Sequence, residues 1–492
     1  MLLLARSRCG PPLPSLTRAV RSSASLVAGL VVASACTAPP APGDGAAART
    51  IVFEGAHLIT GDGGPVIPNA TLVTSGGRFV AVGETGRVAV PAAATRIDVT
   101  GKTIMPAMID AHAHLGYMRN LTSGPQNYTR ENIVDHLQRY AYFGVAAGQA
   151  MGSDFTDLPY QVRDDSRAGV IPDAARFLTA GRGLAPPDEV RPGNMRHSAY
   201  RITTDAEARA AVRELAAHGV TVVKTWVDDR GGAVRKLTPD LYGAIIDEAH
   251  RHGLRVMAHA TALDDAKALL RAGVDGFGHA FQDVDDELVG LMKARPQVFL
   301  LLALGGPRRV VSAPWLNPVH PLVHQTVSPE QIARLQQRLA SQPLVERERA
   351  RAAWEKMAAG IGRLNAAGAR IGVGTDGGGQ LGDQFLGWTV HTEVENMVAA
   401  GMTPSQVLVA ATKHGAEILG LEDLGTIAPG KSADFIVLDA NPLDDITNTR
   451  RIAQVYIRGT AVDRARLRAQ WTGSGGTGAD GADRGMRPGP AR

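Results

Sequence analysis

Thiol chemistry is nearly absent from this chain, whose only cysteines are Cys9 and Cys36. Both lie ahead of the folded body, which therefore has no internal disulfide, no catalytic thiol and no thiolate to hold zinc. Any metal must be held by histidine, carboxylate or a less usual ligand. Long apolar runs are also missing: the stretch from Leu26 to Ala35 is about half of the roughly 20 residues that span a bilayer as a helix. An excess of one charge is lacking too. Lys and Arg number 52 and Asp and Glu 48, but Arg6, Arg8, Arg18 and Arg21 sit in the first 35 residues, which hold no acid. The remainder balances, so no basic nucleic-acid surface is expected. A hydrophobic content of 44% with 20% charged residues excludes collagen, coiled coil and an acidic disordered chain. For 492 residues, one large domain with a smaller companion is the expectation.

The N-terminus reads as a targeting segment. A positive region, a short apolar run and the small residues Ala33-Ser34-Ala35 precede Cys36. That order is a secretory signal. It resembles a bacterial lipoprotein signal, with Cys36 as the lipidated first mature residue, although Ala33 stands where Leu is more usual. Residues 1–35 are thus expected to be removed, and residues 36–49, rich in Pro, Ala and Gly, to be a linker. The protein is expected to be periplasmic or on the cell surface, touching the membrane only through lipid.

Short alternating segments, Thr50–Ile59, Thr71–Val82 and Thr95–Thr100, are separated by Gly and Pro turns, and the texture returns in Asp434–Asp439 and Ile452–Val462. This predicts antiparallel strands. Between them, short apolar runs alternate with helical stretches. Eight runs can be counted: Ile104–Asp110, Val145–Met151, Arg176–Ala180, Thr221–Val227, Arg255–Ala260, Gly276–Phe281, Val298–Leu304 and Arg370–Asp376. Helices are expected over Arg130–Tyr142, Asp205–His218, Pro239–His252, Asp264–Ala272 and Arg347–Ala367. Eight βα units predict an α/β fold, a (β/α)8 TIM-like barrel, with the doubly wound open sheet as the alternative. The expected domains are a barrel at 104–420, a composite β-sandwich from 50–103 and 421–465, and a disordered tail at 466–492. The long segment Gly305–Pro343, with Trp315, His320 and His324, interrupts the last units.

Polar residues gather at the C-terminal ends of five runs, the edge where barrel enzymes assemble their sites. The first run ends in Asp110-Ala-His112-Ala-His114. Residues i and i+2 of a strand share a face, so both imidazoles can reach one metal. The fourth carries Lys224 among apolar neighbours, the fifth His259, the sixth His279, and the eighth closes at Asp376. Singly, each has a plainer reading, such as a solvated histidine or a lysine reaching water. Together they point to one centre.

In this order His112-x-His114, Lys224, His259, His279 and Asp376 resemble the binuclear amidohydrolase superfamily. The flanking β segments resemble its small domain, and Leu424-Gly-Thr-Ile-Ala-Pro-Gly-Lys-Ser-Ala-Asp434-Phe-Ile-Val-Leu is similar to the return strand of imidazolonepropionase-like and prolidase-like members. The resemblance implies two divalent metals, usually zinc. His112, His114 and Asp376 would bind the first, His259 and His279 the second, and a CO2-carboxylated Lys224 would bridge them. It implies hydrolysis of an amide-type C–N bond by a metal-bridging hydroxide, with Asp376 as the catalytic proton shuttle. Dipeptides or N-acyl amino acids would be the small-molecule substrates. The alternatives are a lactone or phosphoester hydrolase on the same metals, a mononuclear deaminase, and a non-enzymatic substrate-binding lipoprotein.

Gly372, Gly374 and Gly377 spell a dinucleotide fingerprint, but Asp376 in its midst would repel phosphate. The loop after the third run offers Arg182, Arg191, His197 and Tyr200 to a substrate carboxylate or oxyanion. His391, with Glu393, is a further substrate-binding candidate on a helix after the eighth run. Asp228 and Asp229 are either partners of the site or a turn. The oligomeric state stays open, a homo-oligomer being compatible with the sequence.

Overall fold

Apolar segments too short for helices become eight parallel strands: Met108–Ala113, Val145–Ala150, Arg176–Thr179, Val222–Trp226, Arg255–His259, Gly276–Phe277, Phe299–Leu301 and Arg370–Gly372. The computed structural model describes residues 49–120, 122–190, 195–305, 323–341, 344–379 and 385–472. The leader, Cys36 and its linker, Arg191, Trp315, His320 and residues 473–492 lie outside the described residues.

Successive strands pair in parallel on either side of one junction. At that junction, between the third and fourth, the short strand Leu184–Ala185 pairs with Thr225, and Gly183 N–H donates to the Gly152 carbonyl at 2.7 Å. The eighth strand returns to the first, where Ala111 N–H donates to Val373 O and Thr375 N–H to His112 O, each at 2.9 Å. Ala113 and Gly377 form a further parallel bridge. A doubly wound sheet would end in two unpaired edges; here the eighth strand meets the first, so the fold is the (β/α)8 barrel.

Alternation along each strand sorts its side chains. Ile109, Leu178, Val222, Met257 and Leu301 pack together in one cluster, while Val145, Val223, Val256 and Leu300 join the larger core with the helices. Each such buried aliphatic side chain contributes about 1.5–3 kcal/mol. Lys224 and His259 follow Val222 and Met257 by two residues, on the same strand faces and nearer the C-terminal mouth.

Helices Arg130–Tyr142, Asp205–Ala217, Pro239–Arg251 and Leu263–Ala272 lie within a residue of expectation, and Leu344–Ala366 begins three residues early. Local chemistry starts them: Thr129 and Thr204 accept from the N–H groups of Asn132 and Glu207, and Glu207 completes a capping box. Losing such a cap costs about 1 kcal/mol. Helices Leu158–Ala168, Asp286–Lys293 and Pro329–Ala340 were not foreseen.

The tail expectation needs correction, because Arg464–Thr472 is a helix. Its sequence is polar and it is held by two anchors. Leu467 is buried, and Trp471 Nε1 donates to Asp135 Oδ1 at 2.7 Å while its ring meets Tyr142 and the Arg139 guanidinium.

The small domain is hydrogen-bonded as one continuous eight-stranded sheet that curls on itself, so that Phe53 and Phe79 meet Phe435 in one core. Ile51–Leu58 pairs with Thr95–Asp98 through its first half and Thr103–Pro106 through its second. The switch falls at Gly55, whose φ of 95° suits glycine alone. Thr103–Pro106, expected in part to open the barrel, instead pairs antiparallel with Phe435–Leu438. Two apolar strands follow each other there with only Ala107 between them, so no turn residue marked the boundary.

The motif Lys-Ser-Ala-Asp434 joins sheet to barrel. Arg176, on the third barrel strand, donates Nη1 to Asp434 Oδ1 at 2.7 Å, Nη2 to Oδ2 at 3.1 Å, and Nη2 to Ser432 Oγ at 2.9 Å. Arg458 N–H adds a bond to Asp434 Oδ1 at 3.2 Å.

Candidate metal centre

The first barrel strand delivers His112 and His114 fully buried at its end. His112 Nδ1 faces the Gly278 carbonyl at 2.9 Å. A carbonyl can only accept, so Nδ1 carries the proton and Nε2 keeps its lone pair for the centre of the barrel. His114 Nδ1 engages Ser153 Oγ at 2.8 Å, turning its Nε2 toward Asp376 Oδ1, also at 2.8 Å. Asp376 Oδ1 lies 3.4 Å from His112 Nε2. Ligand atoms of His112, His114 and Asp376 all fall within 4.8 Å of one another, so these three can hold a metal ion.

Asp376 adopts a φ of 54°, a left-handed conformation that costs a non-glycine residue but that aspartate tolerates better than most. The turn is fixed from below: Thr375 donates its N–H and hydroxyl to Asp110, which also accepts from Tyr140. Asp376 is the most accessible of the three, with 31% of its side chain exposed.

The other donors close around these. The His279 ring centroid lies 5.0 Å from that of His112 and 4.1 Å from that of His259. His259 Nε2 is 2.6 Å from Asp228 Oδ2, which leaves Nδ1 as its other donor. Lys224 is wholly buried, with Nζ 5.7 Å from the centre of the Trp226 ring. A methyl built on Gly278 would stand 3.0 Å from Lys224 Nζ and 2.9 Å from His112 Cε1. Only glycine lets these two side chains approach so closely.

Burial sets much of the electrostatics. It pushes the imidazoles of His112, His259 and His279 well below the usual histidine range, reinforced by the Lys224 charge, so they are neutral and suited to ligation. It brings Lys224 down to about 7, against the pull of Asp376. Burial alone would raise the Asp376 carboxyl, but the His114 hydrogen bond and the surrounding imidazoles of His114, His112 and His279 hold it well below the ordinary carboxylate range.

The donor set fits divalent metal. It offers imidazole nitrogen and carboxylate oxygen and no sulfur, which suits zinc among others. Among the described residues His112 Nε2 and Lys224 Nζ are buried with no hydrogen-bond partner, an arrangement costing about 1–3 kcal/mol each unless something binds there. Gly278, Ser153 and Asp228 already hold the second nitrogens of His112, His114 and His259, as outer partners of metal ligands do.

Not every candidate joins this centre. His391 is buried on helix Trp388–Ala399, with Nε2 2.9 Å from Phe143 O and Nδ1 3.1 Å from Thr449 Oγ1. Both ring nitrogens are used in the core, which corrects its reading as a substrate contact. Glu393, two residues on, is buried too and accepts from the N–H groups of Leu304 and Gly305. Tyr200 lies under the Arg182 guanidinium at 3.9 Å, in a groove shared with Glu214 that no metal-centre side chain lines. His197 packs by its ring against Phe155, centroids 4.9 Å apart, with Nδ1 3.5 Å from the Tyr117 hydroxyl.

Asp229 is a turn residue, accepting from Gly231 N–H, whereas Asp228 serves His259. Sequence reading passed over Ser153, Gly278 and Arg196. Arg196 is 2% exposed and its guanidinium lies 4.9 Å from the centre of the Trp226 ring. The glycine fingerprint is no nucleotide loop, since the next helix among the described residues opens only at Trp388.

The amidohydrolase family model matches residues 103–462, from the last small-domain strand before the barrel to the last sheet strand. The chain belongs to the amidohydrolase family. This amidohydrolase is 28% identical over 215 residues to an uncharacterised protein of Mycobacterium tuberculosis, a match covering 42% of this chain and 53% of that one. The chain thus spans about half the length of that relative. An imidazolonepropionase of Cereibacter sphaeroides is 28% identical, over 77% of this chain and 90% of its own. Among solved structures, a candidate prolidase from Bifidobacterium longum superposes with a TM-score of 0.68 at 28% identity, covering 86% of this chain and 99% of its own.

Proposed function

We propose that this amidohydrolase is a metal-dependent hydrolase that cleaves an amide-type C–N bond in a dipeptide or N-acyl amino acid. The observation that carries the proposal is the convergence of His112, His114, Lys224, His259, His279 and Asp376, with His112 Nε2 and Lys224 Nζ buried and lacking hydrogen-bond partners. The similarity to an imidazolonepropionase and a candidate prolidase supports C–N hydrolysis. His112, His114 and Asp376 would hold one divalent ion, zinc being our assignment, and His259 and His279 a second. Lys224, as its CO2 adduct, would join both. When bound, such ions act as Lewis acids and make water nucleophilic at neutral pH.

The chain's own residues do the rest. Asp376, the accessible carboxylate, receives the proton of the attacking water and returns it to the leaving nitrogen. Gly278, Ser153 and Asp228 keep the imidazoles in place through their second nitrogens. No Ser or Cys nucleophile is needed.

We further propose export and lipid anchoring at Cys36, which the residue pattern before that cysteine supports. Among the described residues no helix is long and apolar enough to cross a membrane.

The test is a screen of dipeptides and N-acyl amino acids with the purified chain and its Asp376→Asn variant. Turnover of at least one such substrate, abolished in the variant, is expected. Turnover confined to lactones or phosphoesters would reject the C–N assignment, and near-normal kcat in Asp376→Asn would reject its role as proton shuttle.

A further inference from the structure

A second site lies where the barrel's underside meets the small sheet. The helix Arg130–Tyr142 ends just before the second barrel strand starts at Val145. Tyr142 is therefore at the N-terminal end of the strands, opposite the face that carries the metal ligands. Beside it is a groove of about 430 Å3, lined by Tyr142, Gln325, Arg450, Arg451, Arg464 and Arg468, with Asp439 the one carboxylate among the described residues that line it.

The charges do not balance. Asp439 is engaged by Lys102 at 2.5 Å, and Arg450 pairs with Glu395. Among the described residues no carboxylate pairs with Arg451, Arg464 or Arg468. Arg464 is held in a fixed pose: Nε donates to Tyr142 O and Nη1 to Ile452 O, both at 3.0 Å, and its guanidinium lies 4.4 Å over the Tyr142 ring. The guanidinium also meets the Tyr142 side chain, so its pose is set from both sides. Three guanidiniums sharing one groove repel one another, so the arrangement is relieved by an anion.

We propose that this groove binds a phosphate-type anion, a free phosphate ester or diphosphate or the phosphate of a lipid headgroup. Guanidinium forks match tetrahedral oxyanions with paired N–H donors, and three of them suit the oxygens and double charge of a phosphate better than a single carboxylate. The groove far exceeds the roughly 30 Å3 of one water in the liquid, leaving room for the group that the phosphate carries.

Arg451 and Arg468 are exposed and make no structural ion pair, so they can be changed without disturbing the fold. Inorganic phosphate and pyrophosphate are titrated calorimetrically into the full chain and into Arg451→Ala and Arg468→Ala at low ionic strength. In parallel, the same proteins are sedimented with phosphatidylglycerol or phosphatidylcholine vesicles. Saturable binding of a soluble phosphate, weakened at least about tenfold in each variant, supports a soluble ligand. Sedimentation selective for phosphatidylglycerol and lost in both variants supports a headgroup. C–N hydrolysis should stay at the parent level in either case. Absence of both kinds of binding, or binding that both variants retain, would overturn the proposal.

Discussion

Asp228 Oδ2 lies 2.6 Å from Nε2 of His259, at the edge of the candidate metal centre. It fixes which imidazole nitrogen faces the centre, although Asp228 is not itself among the proposed ligands. We predict that Asp228→Ala weakens the second metal by about 10–100-fold, the usual effect of losing such a partner. Asp228→Asn, whose amide oxygen can still accept the Nε2 proton, should keep most of it. Metal retention during dialysis against a graded chelator reads this directly. Equal retention in Asp228→Ala and the parent would show that the contact does not orient His259.

Asp434 offers a test of the junction between sheet and barrel. Its side chain is 1% exposed and its partner Arg176 only 9%. Removing one member of a buried pair leaves the other charged and unpaired, so Asp434→Ala should destabilise the fold by about 3–5 kcal/mol. Denaturant unfolding measures this, and a loss below about 1 kcal/mol would mean that the pair is replaceable by water.

The barrel was legible because parallel strands buried on both faces read as short apolar runs, and helices between them announce themselves through caps such as Thr204 and Glu207. The residues of the candidate metal centre were legible for a related reason. A lysine, histidine or aspartate at the end of an apolar strand conflicts with its surroundings, and five strands repeated the conflict. What stayed hidden depends on approach in space. Nothing near Gly278 in sequence says that His112 and Lys224 meet over its backbone, and Ser153 looks like any loop serine until His114 is beside it. His391 and Glu393 misled for the opposite reason: a polar pair on a helix suggests solvent, whereas Phe143, Thr449 and the 304–305 backbone satisfy them inside.

Glu393 should give stability a pH dependence. Burial, with a contribution from the nearby Asp110, pushes its carboxyl up to about 8 from an ordinary 4.5, outweighing the N–H groups of Leu304 and Gly305 and the side chain of Asn396. Between those values the folded chain holds a proton that the unfolded chain has released. Stability therefore falls as pH rises through that window. Unfolding midpoints across it should show Glu393→Gln, which cannot ionise, declining less than the parent. Parallel profiles would place the proton elsewhere.

Mass spectrometry of membrane-fraction protein should show maturation at Cys36 with diacylglycerol and acyl additions. An unlipidated mature N-terminus would reject the anchor while sparing export.

The central claim rests on Lys224, whose unmodified ammonium would oppose two nearby dications. Metal content of the purified chain, measured beside Lys224→Ala with turnover on the same samples, tests it most directly. The account predicts about two divalent ions per parent chain, loss of the pair in the variant, and near-complete loss of hydrolysis. Two tightly bound metals and undiminished turnover in Lys224→Ala would contradict it.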